Sequence, residues 1–184
     1  MAARAGALDS RLRGNDTALE DFILSMQGKT VVATGATSGI GERAVEALAG
    51  RGARIVFIAR DGRRAEATRA KLEAIAPGLG HRLHLADLSL IADAKRVGAE
   101  IAASEPRIDV LINNAGALFA QRRVTSEGLE ATFALNHMAY FVLTWALLDR
   151  LKGSAPSRIV STASTATSAP ASIIARVRKH TFCK

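Results

Sequence analysis

The chain has 184 residues, 48% of them apolar, which is enough for one domain with a sizeable core and excludes disorder of the whole chain. Lys and Arg number 25 against 17 Asp and Glu, a net charge of +8, yet the charges are scattered outside the tail and aromatics make up only 4%, so no basic–aromatic nucleic-acid surface is expected. A single cysteine, Cys183, excludes an intrachain disulfide and suits a reducing, cytoplasmic setting, and His81, His84, His137 and His180 lack company at metal-ligand spacing, so no metal site is expected.

Residues 1–25 lack the apolar core of a secretory signal, and Asp9, Asp16, Glu20 and Asp21 argue against a transit peptide. They are read as a poorly ordered extension, with the domain opening at Met26. From there strand-like and helix-like periodicities alternate. A β-branched run, Lys29 to Thr34, predicts a buried strand, and a helix follows from about Ile40 to Arg51, stopped by Gly50 and Gly52. The second strand is Arg54 to Ala59, the second helix Arg63 to Ile75, ended by Pro77-Gly78. The third strand is His81 to Ala86. Asp87 to Ser89 are expected to cap a third helix whose apolar face carries Leu90, Val97 and Ile101 and which Pro106 ends. The fourth strand is Ile108 to Asn113, a long helix lies between Ser126 and Leu151, and the fifth strand is Arg158 to Thr162. The run Met138 to Leu148 is too short for a bilayer helix and reads as buried, so no membrane span is expected.

This alternation predicts an α/β fold, a doubly wound parallel sheet of five strands with helices on both faces. Ligands bind such sheets at the carboxyl ends of strands, where strand order reverses. After the first strand stands "TGATSGIG", Thr34 to Gly41. Gly35 permits a sharp turn, Gly39 and Gly41 remove side chains where backbone must approach a pyrophosphate, and the helix start at Ile40 offers N–H groups and a positive dipole end. Arg60 follows the second strand, where a guanidinium suits a ribose 2′-phosphate; the alternative is an exposed loop pair with Asp61. Asp87 after the third strand can meet an adenine ring or cap the next helix. After the fourth strand "NNAG", Asn113 to Gly116, offers amides beside the small Ala115 and Gly116, with room for a flat cofactor.

These motifs, with "LNHMAYFVLT" in the long helix and "RIVSTAS" around the fifth strand, resemble the classical short-chain dehydrogenase/reductase family, closest to its retinol-dehydrogenase-like branch, from about Gly28 to Ser164. The resemblance implies a Rossmann-type fold and an NADP-linked (alternatively NAD-linked) oxidoreductase acting on a lipophilic alcohol or carbonyl, able to form a homo-oligomer at full length. It implies cofactor contacts at Gly35, Thr37, Ser38, Gly39, Ile40, Gly41, Arg60, Asp87, Leu88, Asn114, Ala115 and Gly116. It assigns Asn136 and Ser164 to catalysis, the first holding a water in the proton path and the second polarising the carbonyl, with Ser161 a weaker candidate. The family's acid is a tyrosine with a lysine four residues on. The chain's one tyrosine, Tyr140, lies in the long helix with Thr144 where the lysine would stand. Residues 165–184 lack family character. The sequence therefore reads as a fragment, truncated or frameshifted, whose domain is 26–164. A non-catalytic NADP-binding pseudoenzyme or interaction module, and an enzyme with an unrecognised acid, are the alternatives. Met138, Phe141, Val142, Trp145 and Leu148 are expected to be incompletely covered.

Overall fold

A computed structural model describes residues 25–163 and the backbone of Ala171–Val177. The expected N-terminal extension up to residue 24, Ser164 and Cys183 lie outside the described residues. Five strands, β1 (Thr30–Thr34), β2 (Arg54–Ala59), β3 (Arg82–Leu85), β4 (Val110–Asn113) and β5 (Ser157–Ala163), pair in parallel as the alternation predicts. A sixth, β6 (Ala171–Val177), was not expected. It runs antiparallel on the outer edge of β5 and gives the order β3-β2-β1-β4-β5-β6. Its "ASIIARV" is β-branched and apolar, the composition a strand needs, and it takes up the edge hydrogen bonds that β5 would otherwise leave open.

The central strands are buried on both faces, which is why β1 and β2 read as continuous apolar runs. On one face α1 (Gly39–Gly50) and α2 (Gly62–Ile75) cover Val31, Ala33, Ile55 and Phe57. On the other, α3 (Ile91–Ser104) and α4 (Ala131–Gly153) cover Val32, Val56, Ile58 and Leu111. The two helices of that second face approach closely, since a Cβ on Gly98 would lie 2.6 Å from Cβ of Ala146.

The cap of α3 differs from expectation. Its N-cap is Leu90, and Asp87 instead closes a local turn, its carboxylate accepting from the N–H and hydroxyl of Ser89 at 3.0 and 2.8 Å. The free N–H groups of Ile91 and Ala92 donate to the carboxylate of Glu127, which arrives from the loop before α4. This contact satisfies orphan donors and complements the helix dipole.

α4 begins at Ala131, within the expected span, and runs two residues past it to Gly153; Glu130 caps it by accepting from Thr132 and Phe133 N–H. The helix is α-helical at Ala131–Phe133 and Ala139–Gly153 with a π-turn at Ala134–Met138 between them. The helix has 23 residues and holds an 18-residue stretch of mean hydropathy 1.3, long and apolar enough to cross a membrane, beyond the expectation from the shorter run; here Leu143, Leu147 and Leu151 are buried in the domain core. As expected the helix is incompletely covered: Phe141 and Trp145 remain 60% and 71% exposed and stack on each other, whereas Val142 is buried.

Candidate active site

The strand order reverses between β1 and β4, and there the sequence motifs converge. Thr34, the last residue of β1, ties the two strands together. Its Oγ1 accepts from the N–H groups of Asn114 and Ala115, both at 2.9 Å, and donates to the carbonyl of Ile112 at 3.3 Å. Asn114 extends this brace. Its Nδ2 reaches the carbonyls of Thr34 and Gly35 at 3.5 and 3.4 Å, and its Oδ1 accepts from Thr162 Oγ1 at 3.0 Å. Three strand ends are thereby held in one geometry. Thr34 and Thr162 stand inside the quoted motifs, but their bracing role depends on strand order and sequence reasoning missed it.

The glycines divide by role. Gly35 has φ +68° and no room for a side chain, since a Cβ would lie 2.8 Å from Cα of Ala115. A Cβ on Gly41 would lie 2.1 Å from the carbonyl oxygen of Gly35, so Gly41 is the close-packing glycine where α1 meets the turn. Gly39, at φ +57°, faces open space with no heavy atom within 4 Å. That opening and the start of α1 lie together. The N-cap residue Ser38 makes no side-chain capping bond, leaving the first-turn N–H groups to an outside acceptor. Glu42, the acid of that first turn, is engaged by Lys71 at 2.6 Å, which holds its carboxyl below the usual range.

Beside this turn lies a cavity of about 220 Å³. Gly35, Thr37 and Ser38 line it from the glycine turn, Ala59 and Arg60 from the end of β2, Asp87 and Leu88 from the end of β3, and Ala115 to Ala117 from beyond β4. Of the residues expected at the cofactor, Gly39, Ile40, Gly41 and Asn114 do not line it: Ile40 is exposed on the outer side of the turn, Gly41 is buried in close packing, and Asn114 is spent on the brace. Arg64, Phe119 and Leu135 line it in addition. Arg60 is exposed and has no ion-pair partner among the described residues. The loop pair with Asp61 does not form, because Asp61 caps α2 by accepting from Arg64 N–H at 3.0 Å. Leu118 is 90% exposed at the rim, and Arg123 lies over the Phe119 ring at 5.5 Å.

Asn136 sits in the π-turn of α4, a distortion that recurs at functional sites. Its amide grips one distant residue on both sides: Oδ1 accepts from Ala117 N–H and Nδ2 donates to the Ala117 carbonyl, each at 3.0 Å. It therefore fixes the loop that floors the cavity. Asn113 turns to the other face, donating to Thr144 Oγ1 at 3.1 Å, with its Oδ1 buried and without a partner among the described residues. Ser161 pairs in register with Asn113. Tyr140 packs against the α3–α4 core and does not line the cavity; burial pushes its phenol up to about 12.

The sequence model of the short chain dehydrogenase family matches residues 29–175. Human retinol dehydrogenase 13 is 40% identical over 145 residues, 77% of this chain and 43% of that protein; human retinol dehydrogenase 14 is 39% identical over 176 residues, 87% of this chain and 51% of that protein. The chain thus spans about half the length of the curated relatives it matches. Among solved structures, the Pseudomonas aeruginosa RhlG/NADP active-site complex aligns with a TM-score of 0.67 at 30% identity, covering 79% of this chain and 60% of that one. A short chain dehydrogenase from Burkholderia cenocepacia in complex with NADP aligns with a TM-score of 0.63 at 31% identity, covering 76% of this chain and 56% of that one. With a Rossmann-type sheet, the glycine turn at its switch point and this likeness running through most of its length, the chain belongs to the short-chain dehydrogenase family, in the retinol-dehydrogenase-like branch.

Proposed function

We propose that the chain is the dinucleotide-binding part of an NADP(H)-linked oxidoreductase acting on a lipophilic alcohol or carbonyl. The observation that carries the reading is the cavity at the switch point, bounded by the glycine turn on one side and on the other by Arg60, which has no ion-pair partner among the described residues. The residues fit a dinucleotide. Gly39 leaves open space over the start of α1, where free N–H groups suit a pyrophosphate, and Arg60 suits a 2′-phosphate in a way a carboxylate would not. Asp87 and Leu88 lie where an adenine would rest, and Ala115 and Gly116 leave room for a flat ring. The cofactor, when bound, supplies or accepts a hydride.

In this reading the chain's own residues mostly position. Thr34 and Asn114 hold the turn and the floor in register, and Asn136 holds Ala117. Ser164, outside the described residues, is the proposed carbonyl-polarising hydroxyl. Phe119 and Leu135 supply an apolar wall suited to a lipophilic substrate. Tyr140 is a poor acid for the site, being half-buried elsewhere and having its phenol pushed up to about 12. A polypeptide of these 184 residues is therefore expected to bind the cofactor with little turnover, because general acid–base help is typically worth about 10²–10⁴ in rate.

Calorimetric titration with NADPH and NADH, alongside NADPH oxidation with a panel of lipophilic aldehydes, tests both halves. Binding of NADPH in preference to NADH, reversed in Arg60→Asp, is the expected result. Equal affinities in the unmodified chain would refute the cofactor assignment, and robust turnover by the same polypeptide would refute the inventory of acids.

A further inference from the structure

The two edges of the sheet are built differently. One edge is β3, only four residues long. It carries the exposed Arg82, and its last carbonyl, that of Leu85, accepts from Arg96 Nη2 at 2.9 Å. Short length, a cation and an engaged carbonyl are devices by which an edge strand resists further pairing. The other edge is β6, seven residues long. Its sequence "ASIIARV" has one charged residue, Arg176, no proline and no glycine, and Ile173, Ile174 and Val177 are β-branched. A strand of this length and composition is a template for another strand.

The backbone says which strand fits. β6 pairs antiparallel with β5 along its whole length, from Ala171 opposite Ala163 to Val177 opposite Ser157. In such a strand every other residue turns its N–H and C=O away from the neighbour already paired. On the outer side of β6 those groups meet no strand among the described residues. An edge offered by one copy of the chain is offered by every copy. Two identical strands joined edge to edge across a two-fold axis run antiparallel, which gives an isologous contact. With the axis at Ile174, the midpoint of β6, the whole strand overlaps its copy. Ala171 then stands opposite Val177 of the second copy, Ser172 opposite Arg176 and Ile173 opposite Ala175. No arginine stands opposite an arginine, so the register avoids a like-charge pair.

We infer that β6 is an interface for a second copy of this chain, joined edge to edge in the register centred on Ile174 into one continuous sheet. The assembly closes at two, because the edges it leaves outward are the two β3 strands, both guarded. The exposed pair Phe141 and Trp145 lies on a helix and takes no part in this contact, so the two surfaces are separable by substitution. The inference stands independently of the cofactor reading.

Sedimentation velocity over a range of concentrations tests it on the full chain, Ile174→Lys and Trp145→Ser, with circular dichroism to verify folding. The full chain is expected to form a reversible dimer. Ile174→Lys sets two like charges opposite each other on the axis and is expected to weaken the dimer about 10-fold or more. Trp145→Ser is expected to leave it unchanged. A second measurement does not depend on how well the lysine is tolerated. In a Cys183→Ser background, Ile174→Cys and Ser172→Cys are each exposed to oxidised glutathione. Paired Cα atoms in an antiparallel ladder lie about 4.5–5.5 Å apart, within disulfide reach, so Ile174→Cys is expected to cross-link two chains. In the same register the two copies of residue 172 lie about 13 Å apart, beyond that reach, so Ser172→Cys is expected to stay uncross-linked. A full chain that remains monomeric up to about 100 µM would overturn the inference. So would a dimer lost in Trp145→Ser but kept in Ile174→Lys, equal cross-linking at the two positions, or assemblies that grow beyond two chains.

Discussion

The glycine turn offers a sharp separation between packing and binding. In Gly41→Ala the new methyl would stand 2.1 Å from the Gly35 carbonyl oxygen, 2.5 Å from Asn114 Nδ2 and 2.9 Å from the Gly35 carbonyl carbon. None of these is the free end of a flexible side chain. The turn must shift by about an ångström, which breaks the Asn114 contacts with Thr34 and Gly35. Overpacking of this kind costs about 1–3 kcal/mol and each lost hydrogen bond about 0.5–1.5 kcal/mol. Replacing a helical glycine by alanine returns roughly 0.5–1 kcal/mol. The net is about 1–5 kcal/mol, or a melting point about 3–15 °C lower for a domain of this size. Gly39→Ala meets no atom within 4 Å and pays only for its φ of +57°, about 1–2 kcal/mol. Its methyl nevertheless occupies the space proposed for the pyrophosphate, so NADPH affinity should fall further than stability does. Thermal denaturation and calorimetric titration of both variants make the comparison. A Gly41→Ala protein that melts within about 2 °C of the parent, or one more stable than Gly39→Ala, would refute the packing argument.

Glu127→Ala should destabilise by about 1 kcal/mol, because it strips the cap from α3; faster amide exchange at Ile91 and Ala92, with α2 unchanged, is the checking measurement. Gly98→Val should cost about 1–3 kcal/mol by forcing α3 away from Ala146, read as a lower midpoint in urea. His81 is buried, its Nδ1 accepting from Ile55 N–H at 3.0 Å and its Nε2 contacting the Ala76 carbonyl at 3.2 Å. Burial lowers its pKa below 6.5, so the unfolded chain takes up a proton more readily than the folded one. The stability due to neutral His81 is full above about pH 6.5 and is lost as pH falls below it. His81→Gln should flatten the melting-point profile between about pH 6.5 and 5, and an unchanged slope would show that another group sets it.

What was legible in the sequence was local or repetitive. The buried strands announce themselves because central parallel strands are apolar on both faces, as in Thr30–Thr34 and Arg54–Ala59. The glycine turn is legible because its backbone requires φ values that few other residues adopt, at Gly35 and Gly39. The misreadings share a different cause. Asp87 looked like the cap of α3 because caps are usually adjacent, whereas Glu127 comes from 36 residues away in sequence. β6 escaped notice because its pairing depends on an edge of β5 that exists only after the sheet has formed. The partners of the Asn114 amide on β1 and β5 likewise escaped notice, because they are neighbours that only the strand order supplies.

The same distinction orders the candidate site itself. Residues identified from motif alone fall into two groups once the chain is folded. Thr37, Ser38, Arg60, Asp87 and Gly116 keep a surface on the cavity, while Gly41 and Asn114 have none. Substitutions in the second group should act on the ligand only through the shape of the turn, lowering stability and affinity together. Substitutions in the first should move affinity with stability almost unchanged, except at Asp87, whose carboxylate also accepts from the N–H and hydroxyl of Ser89. Asn136 spans both groups. It is exposed, but its amide is committed at both ends to Ala117, which lines the cavity. Asn136→Asp keeps the acceptor for Ala117 N–H and sets a carboxylate against the Ala117 carbonyl, which has lost its donor. The expected result is a displaced cavity floor and weaker NADPH binding by about 5- to 20-fold, from loss of one hydrogen bond and a repulsion in its place. Asn136→Ala loses both contacts, yet introduces no repulsion and should bind no worse than the aspartate. A titration ranking the alanine variant well below the aspartate would show that bond count, not the polarity match at Ala117, governs the floor.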